Sequence, residues 1–225
     1  MCGRFTLRTP AHRLAEAFGV RNLPNLAPRY NIAPSQDVAA VRRAEDGDGR
    51  ELVLLRWGLV PYWAKDPAIG NRMINARAET VAEKPAFRAA FRRRRCLVAA
   101  DGFYEWQKTA DGKKQPWFIR LADDAPFAIA GLWERWKSPQ GDAVESCTLI
   151  TTEANETLEP IHDRMPVILA PDAWDAWLAP ESASAGALTA LLRPYTGDGL
   201  TAQPIGRLVN DPRSDEPACI APLEG

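Results

Sequence analysis

The sequence predicts a single, mainly-β domain of the α+β class. Three observations predict it. Short runs rich in β-branched and aromatic residues recur along the 225 residues, and Gly-, Asp- and Pro-bearing turn signals separate them. Helical spacing is confined to a few short stretches. No repeat, low-complexity linker or shift in composition divides the chain, so residues 1–225 are expected to form one domain, with a short extended tail from about residue 213.

The elements follow in order. Residues 11–18, AHRLAEAF, place Leu14, Ala17 and Phe18 on one helical face. A proline-rich connection around RYNIAPSQ carries Pro24, Pro28 and Pro34. Residues 37–41 and 51–57 read as strands joined by the turn-like EDGDGR. Residues 57–71 form a loop rich in Trp, Pro and Gly, and 84–94 a short helix. CLVAA at 96–100 reads as a buried strand, and FYEWQK at 103–108 alternates as another. The Asp-Gly of ADGKK tolerates positive φ and turns a hairpin into PWFIRL. PFAIAGLWERW, ESCTLITT and MPVILA continue the sheet. Helices are expected at 171–178 and about 184–192, then a last strand near 203–209.

Composition narrows the classes of function. Apolar residues make up 46% and charged residues 25%, the balance of a globular chain with a sizeable core. No apolar run approaches the roughly 18–20 residues of a membrane span. Arg4, Arg8, His12 and Arg13 interrupt any signal-peptide pattern, so a cytoplasmic protein with no membrane partner is expected. Cys2, Cys96, Cys147 and Cys219 are widely spaced without a CxxC pair, and the only histidines are His12 and His162. That pattern predicts no disulfide framework, no metal site and no cofactor. Net charge is −1, yet the first hundred residues hold 18 Lys+Arg against 9 Asp+Glu and the rest hold 10 against 20. The basic half could meet phosphate. Arginine outnumbers lysine 22 to 6, which suits forked phosphate recognition but also follows from a GC-rich genome.

The candidate chemistry begins at Cys2. Removal of Met1 would leave an α-amine and a thiol on one residue, a 1,2-aminothiol able to form an imine with an aldehyde and then close a thiazolidine. Unperturbed, the amine titrates at about 7.7–8.0 and the thiol at about 8.5. The alternative is a small residue that merely follows Met1. In GFYEWQ, alternation sets Phe103, Glu105 and Gln107 on one face and Tyr104 and Trp106 on the other. Glu105 is then either an edge charge facing water or a buried carboxyl whose raised pKa lets it move protons. His162, in IHDRMP, is a cap, a core residue or a reactive group at a loop–strand junction, with Asp163 and Arg164 placed to set its charge. Extended, NARAET presents Asn75, Arg77 and Glu79 together. Asn75 could hold an oxygen or the terminal amine, and Arg77 a phosphate. Trp63 lies in the Pro61-centred loop where a ring could stack on an unpaired base. The run Arg92–Arg95 ends a helix and is expected to be a solvated face favoured by the helix dipole.

Together these residues resemble one family. MCGRF, RYNIAPSQ, RWGLVPYWAKD, NARAET, RRRRCLVAADGFYEW, AGLWE, CTLITTEAN and IHDRMPVIL follow the order and spacing of the SOS response-associated peptidases, the abasic-site processing proteins. The likeness runs from Met1 to about Pro217; Ala99 departs from it, standing where proline is expected. It implies a barrel-like β core in the single α+β domain. It implies a DNA-repair protein that shields abasic sites in single-stranded DNA at stalled forks, with single-stranded DNA and replication-fork proteins as partners. Cys2 would form a thiazolidine crosslink with the ring-opened sugar, Asn75 would position the amine and sugar, Glu105 would assist proton transfer in formation and reversal, and His162 would protonate the sugar oxygen. Arg4, Arg77 and Arg164 would hold phosphates, Pro34 and Trp63 would form a wedge, and Trp106 would join the DNA contacts. Strand cleavage by β-elimination and autocatalytic removal of Met1 are implied as well, in a monomer associated with the nucleoid when on DNA. Two rivals stay open: a thiol hydrolase with Cys2 as nucleophile and His162 as base, and a single-strand binder using Arg77 and Trp63 without chemistry.

Overall fold

The computed structural model describes residues 2–22, 24–45, 47, 49–179, 184–197 and 199–223; Met1 and parts of the turn expected at 45–50 lie outside the described residues. Five strands close into a barrel. They are β3 (Asp37–Arg43), β4 (Arg50–Trp57), β6 (Arg95–Ala100), β9 (Phe127–Lys137) and β10 (Ala143–Glu153). β3 pairs antiparallel with β4 and β6, β6 with β9, and β9 with β10. One parallel junction, Ser146 beside Arg56 and Cys147 beside Trp57, joins β10 back to β4 and removes the free edges. Val41, Leu55, Leu97, Ile129, Leu132 and Leu149 from these strands are buried in one apolar core. The β-branched and leucine-rich runs are therefore strands because both ends of each ladder are paired and the side chains have somewhere to go.

A second, antiparallel sheet leans on the same core. Its order is β13 (Leu200–Pro204), β8 (Lys114–Leu121), β7 (Gly102–Lys108), β1 (Phe5–Leu7) and β2 (Arg29–Ile32). Phe5 and Phe103 pair across β1 and β7 and enter the shared core; Phe5 packs 5.2 Å from Trp57 and Phe103 makes an edge contact with Phe127. The alternation read in GFYEWQ holds: Phe103 joins the main core, whereas Tyr104 and Trp106 pack with Phe118, Ile205 and Val209 in a second cluster on the other face. β5 (Asn75–Arg77) and β11 (Arg164–Pro166) extend β10, and β12 (Ile168–Leu169) extends β9.

Helix α1 (Ala11–Phe18) has the predicted bounds and buries Leu14 and Phe18, with Phe18 stacked on Trp174 at 4.7 Å. Gly19 ends it at φ 62, its N–H returning to Ala15 and Glu16. The loop after β4 closes on itself through Gly58 at φ 129, where a Cβ would lie 2.6 Å from the Gly70 carbonyl oxygen. Helices α2 (Arg88–Arg93), α3 (Trp174–Leu178) and α4 (Ala185–Ala190) are short. Among the described residues no helix is long and apolar enough to cross a membrane.

The structure corrects five expectations. The RYNI segment is a strand rather than a connection, and Phe5–Leu7 is a strand where none was read. The last strand is Leu200–Pro204, and Arg207–Asn210 is a 3-10 turn. The tail is not extended: Pro217–Ile220 is a 3-10 turn with Cys219 buried, and Asp215 accepts from the backbone N–H groups of Tyr30 and Asn31 and from the Arg29 side chain. The arginine run is not uniformly solvated either. Arg95 is 5% exposed and donates to the carbonyls of Phe91, Arg92, Trp177 and Ala179.

Candidate functional site

Four residues distant in sequence meet beside the second sheet. Cys2 precedes β1 and is fully buried. Asn75 opens β5, and its amide donates to the Cys2 carbonyl at 2.8 Å. Its own buried Oδ1 has no hydrogen-bond partner among the described residues, an acceptor held in place and open to a donor. Glu105, in the middle of β7, is 1% exposed, so the edge-charge reading is excluded. Burial pushes its carboxyl up to about 7. His162 follows the turn after β10, and its Nε2 lies 3.9 Å from Glu105 Oε2.

The electrostatics of the cluster are unusual for a cysteine site. Burial pushes the Cys2 thiol far up, and the nearby Glu105 carboxylate adds to the effect; a hydrogen bond with the Arg4 backbone offsets it only in part. Thiolate is therefore disfavoured here, whereas reactive thiols elsewhere are held in positive surroundings. Burial also lowers the His162 pKa, so the ring is neutral at pH 7, not the mild-acid donor its ordinary value suggests. The Arg164 backbone N–H donates to His162 Nδ1 at 3.0 Å, which puts the ring proton on Nε2, toward Glu105. The Asp163 carboxylate, 2.9 Å from the same Nδ1 and 86% exposed, pairs with it only in the charged ring.

Gln107 shares the face of Glu105 and holds the loop that carries His162. Its amide donates to the Pro160 carbonyl at 2.8 Å, and its oxygen accepts from the Trp117 indole at 3.1 Å. Its face is legible in the alternation of β7, whereas its partners are not. Of the three arginines expected at phosphates, Arg77 alone has an exposed side chain, at the end of β5. Arg4 points inward to Asn31 Oδ1 at 3.0 Å and the Val209 carbonyl at 2.7 Å. Arg164 forms a forked pair with Glu79 at 2.6 and 3.0 Å and donates to the Thr151 carbonyl. Trp106 donates its indole N–H to Asn210 at 2.8 Å. Trp63 is 48% exposed and opens on a cleft shared with Lys65 and Arg72. Pro34 is half-buried and leads into Ser35, whose φ of 72 is held by its N–H on the Trp57 carbonyl. Trp106 is the neighbour of Glu105 along β7 but turns to the second cluster on the opposite face.

A family model described as SOS response associated peptidase matches residues 1–212. The chain belongs to the SOS response associated peptidase family. Abasic site processing protein YoqW of Bacillus subtilis is 45% identical over 98% of this chain and 99% of its own length. YoaM of the same organism, with the same descriptive name, is 46% identical over 96% of this chain and 95% of its own. The rat abasic site processing protein HMCES is 30% identical, across all of this chain and 76% of its length. A solved protein from Bacteroides thetaiotaomicron superposes with a TM-score of 0.89 at 26% identity, covering 99% of this chain and all of that one.

Proposed function

We propose that this peptidase-family protein processes abasic sites in single-stranded DNA by forming a covalent crosslink through Cys2. One observation carries the reading: a buried carboxyl titrating near 7, a neutral histidine and an anchored asparagine converge on the second residue of the chain. The names of the relatives support the substrate.

Once Met1 is gone, the Cys2 amine adds to the C1′ aldehyde of the ring-opened sugar. The carbinolamine loses its hydroxyl as water, taking a proton from Glu105; the nitrogen then returns its proton to the carboxylate and an imine results. The S–H then adds across C=N, sulfur to carbon and proton to nitrogen, closing the thiazolidine. This order suits a site where the thiol stays protonated until it adds, and it disfavours the thiol hydrolase, which needs a thiolate at the start. His162, neutral with its proton on Nε2, donates a hydrogen bond to the sugar oxygen while the hemiacetal hydroxyl proton moves to that oxygen and the ring opens. Asn75 holds the Cys2 backbone. Arg77 supplies the first phosphate contact; Arg164 supplies another when a phosphate exchanges with Glu79, and Arg4 shapes the wall through Asn31. Trp63, Pro34 and Trp106 flank the strand. Cleavage 3′ to the lesion follows if the imine loses a proton before the thiol adds, and autocatalytic loss of Met1 would use the same carboxyl. Stalled forks would supply the single strand.

Incubation with an abasic single-stranded oligonucleotide should yield a shifted band that survives denaturant. Cys2→Ala should abolish that band, and Cys2→Ser should leave an imine that only borohydride traps. A heat-stable crosslink in a protein whose mass still includes Met1 would falsify the aminothiol mechanism.

A further inference from the structure

Trp63 has a neighbour, Tyr62, that faces elsewhere. Tyr62 is 61% exposed and lies at the mouth of a separate cleft of about 640 Å³, formed with the end of α2 and strand β9. The cleft brings together Arg92, Arg93, Arg94 and Arg135 with a single carboxylate, Glu134. That carboxylate is already claimed: one oxygen accepts from Arg94 at 2.7 Å, the other from the Arg135 backbone N–H at 3.0 Å. The guanidinium groups of Arg92, Arg93 and Arg135 make no ion pair among the described residues, and their residues are exposed. Arg94 Nε is buried without an acceptor among the described residues. The helix dipole favours positive charge at this end of α2 but uses none of these donors.

We propose that this cleft is a second nucleic-acid site, which takes the sugar–phosphate backbone of the single strand on Arg92, Arg93 and Arg135 and a base on Tyr62. The chemistry is that of non-specific single-strand binding, a cationic groove interleaved with an aromatic platform. The loop from Pro61 to Asp66 thus offers one ring to each of two clefts, Trp63 beside Lys65, Arg72 and Asp66, and Tyr62 beside the arginines. A strand held at the first cleft passes over that loop to reach the second. The inference rests on the abasic-site reading for the nature of the polyanion, and not for the cleft.

The test compares wild type with Arg92→Ala/Arg93→Ala, Arg92→Glu/Arg93→Glu and Tyr62→Ala, all at exposed positions. Anisotropy is measured with undamaged single strands of about 6 and about 20 nucleotides across a salt series, short enough and long enough to occupy one cleft or both. The charge variants should bind the long strand at least about tenfold more weakly, with a salt slope reduced by about two phosphate contacts. They should bind the short strand, and crosslink a short abasic strand at saturation, as wild type does. Tyr62→Ala should weaken the long strand without changing the slope. Wild-type affinity and slope for the long strand in both charge variants overturns the proposal. If wild type forms no abasic crosslink yet the length- and arginine-dependent binding persists, the crosslinking reading falls and this cleft stands.

Discussion

Asp101 and Glu105 are both buried carboxylates, each 1% exposed, four positions apart around the start of β7. Their surroundings differ. Asp101 accepts from the backbone N–H groups of Arg8 and Thr9, from the hydroxyls of Thr6 and Thr9, and from Arg8 Nε at 3.1 Å. It ties the segment after β1 to the segment before β7. Glu105 faces a neutral imidazole across 3.9 Å, and burial pushes its carboxyl up to about 7. Burial alone therefore does not mark a reactive acid. The guanidinium and the four further donors around Asp101 make it a structural knot, whereas a buried carboxyl whose proton is held near neutrality is a proton carrier.

Removing the knot should have the largest effect. Asp101→Ala leaves Arg8 Nε, two backbone N–H groups and the hydroxyls of Thr6 and Thr9 without their carboxylate, and should cost about 3–5 kcal/mol in urea denaturation. Crosslinking per folded molecule should be unchanged; a wild-type stability would erase the distinction.

Glu105→Gln should act in the opposite sense. The carboxyl titrates near 7 in the folded protein against an ordinary 4.5. The folded state thus loses stability as pH rises between those values, and the loss is complete above 7. At pH 8 the variant should be more stable than wild type by about 3 kcal/mol, and at pH 4.5 the two should converge. Thermal denaturation across pH reads this directly, and a destabilised variant at pH 8 would place Glu105 with Asp101.

The same substitution should slow crosslink formation and reversal by at least about tenfold without weakening DNA binding. In wild type the rate should fall as pH rises through 7 and the acid is lost. Equal single-turnover rates at every pH would make Glu105 structural.

The smallest effect is expected at Gln107. Its loss removes two neutral hydrogen bonds and leaves the loop before His162 less fixed, for about a threefold slower rate. The melting temperature and the pH profile should stay close to wild type; a shifted profile would mean that Gln107 touches the reacting groups.

Much of this was legible in the sequence, for definable reasons. Ala11–Phe18 has a helical face and a glycine stop, and strands such as Arg95–Ala100 and Gly102–Lys108 carry their own patterning. Phe5–Leu7 is too short to alternate, and Arg29–Ile32 is masked by flanking prolines, so both were missed. The barrel itself, closed by the parallel pairing of Ser146 with Arg56, leaves no local trace. In the site, residue types suggested Cys2, Asn75, Glu105 and His162. Pairings across the chain set what a side chain can still do, and these were hidden: Glu79 holding Arg164, Val209 and Asn31 holding Arg4, Pro160 holding Gln107.

The place of β1 in its sheet sets a clock on biosynthesis. That strand lies between β2 and β7, and its partner residues Gly102 and Phe103 are made about a hundred residues after Cys2. At roughly 5–20 residues per second, the start of the chain waits on the order of ten seconds outside the ribosome before its sheet can form. Throughout that interval Cys2 is as accessible as any residue of an unfolded segment, whereas in the finished sheet it is fully enclosed. The topology therefore separates an early period, when the segment around Cys2 is open to other molecules, from a later one, when the finished sheet encloses it.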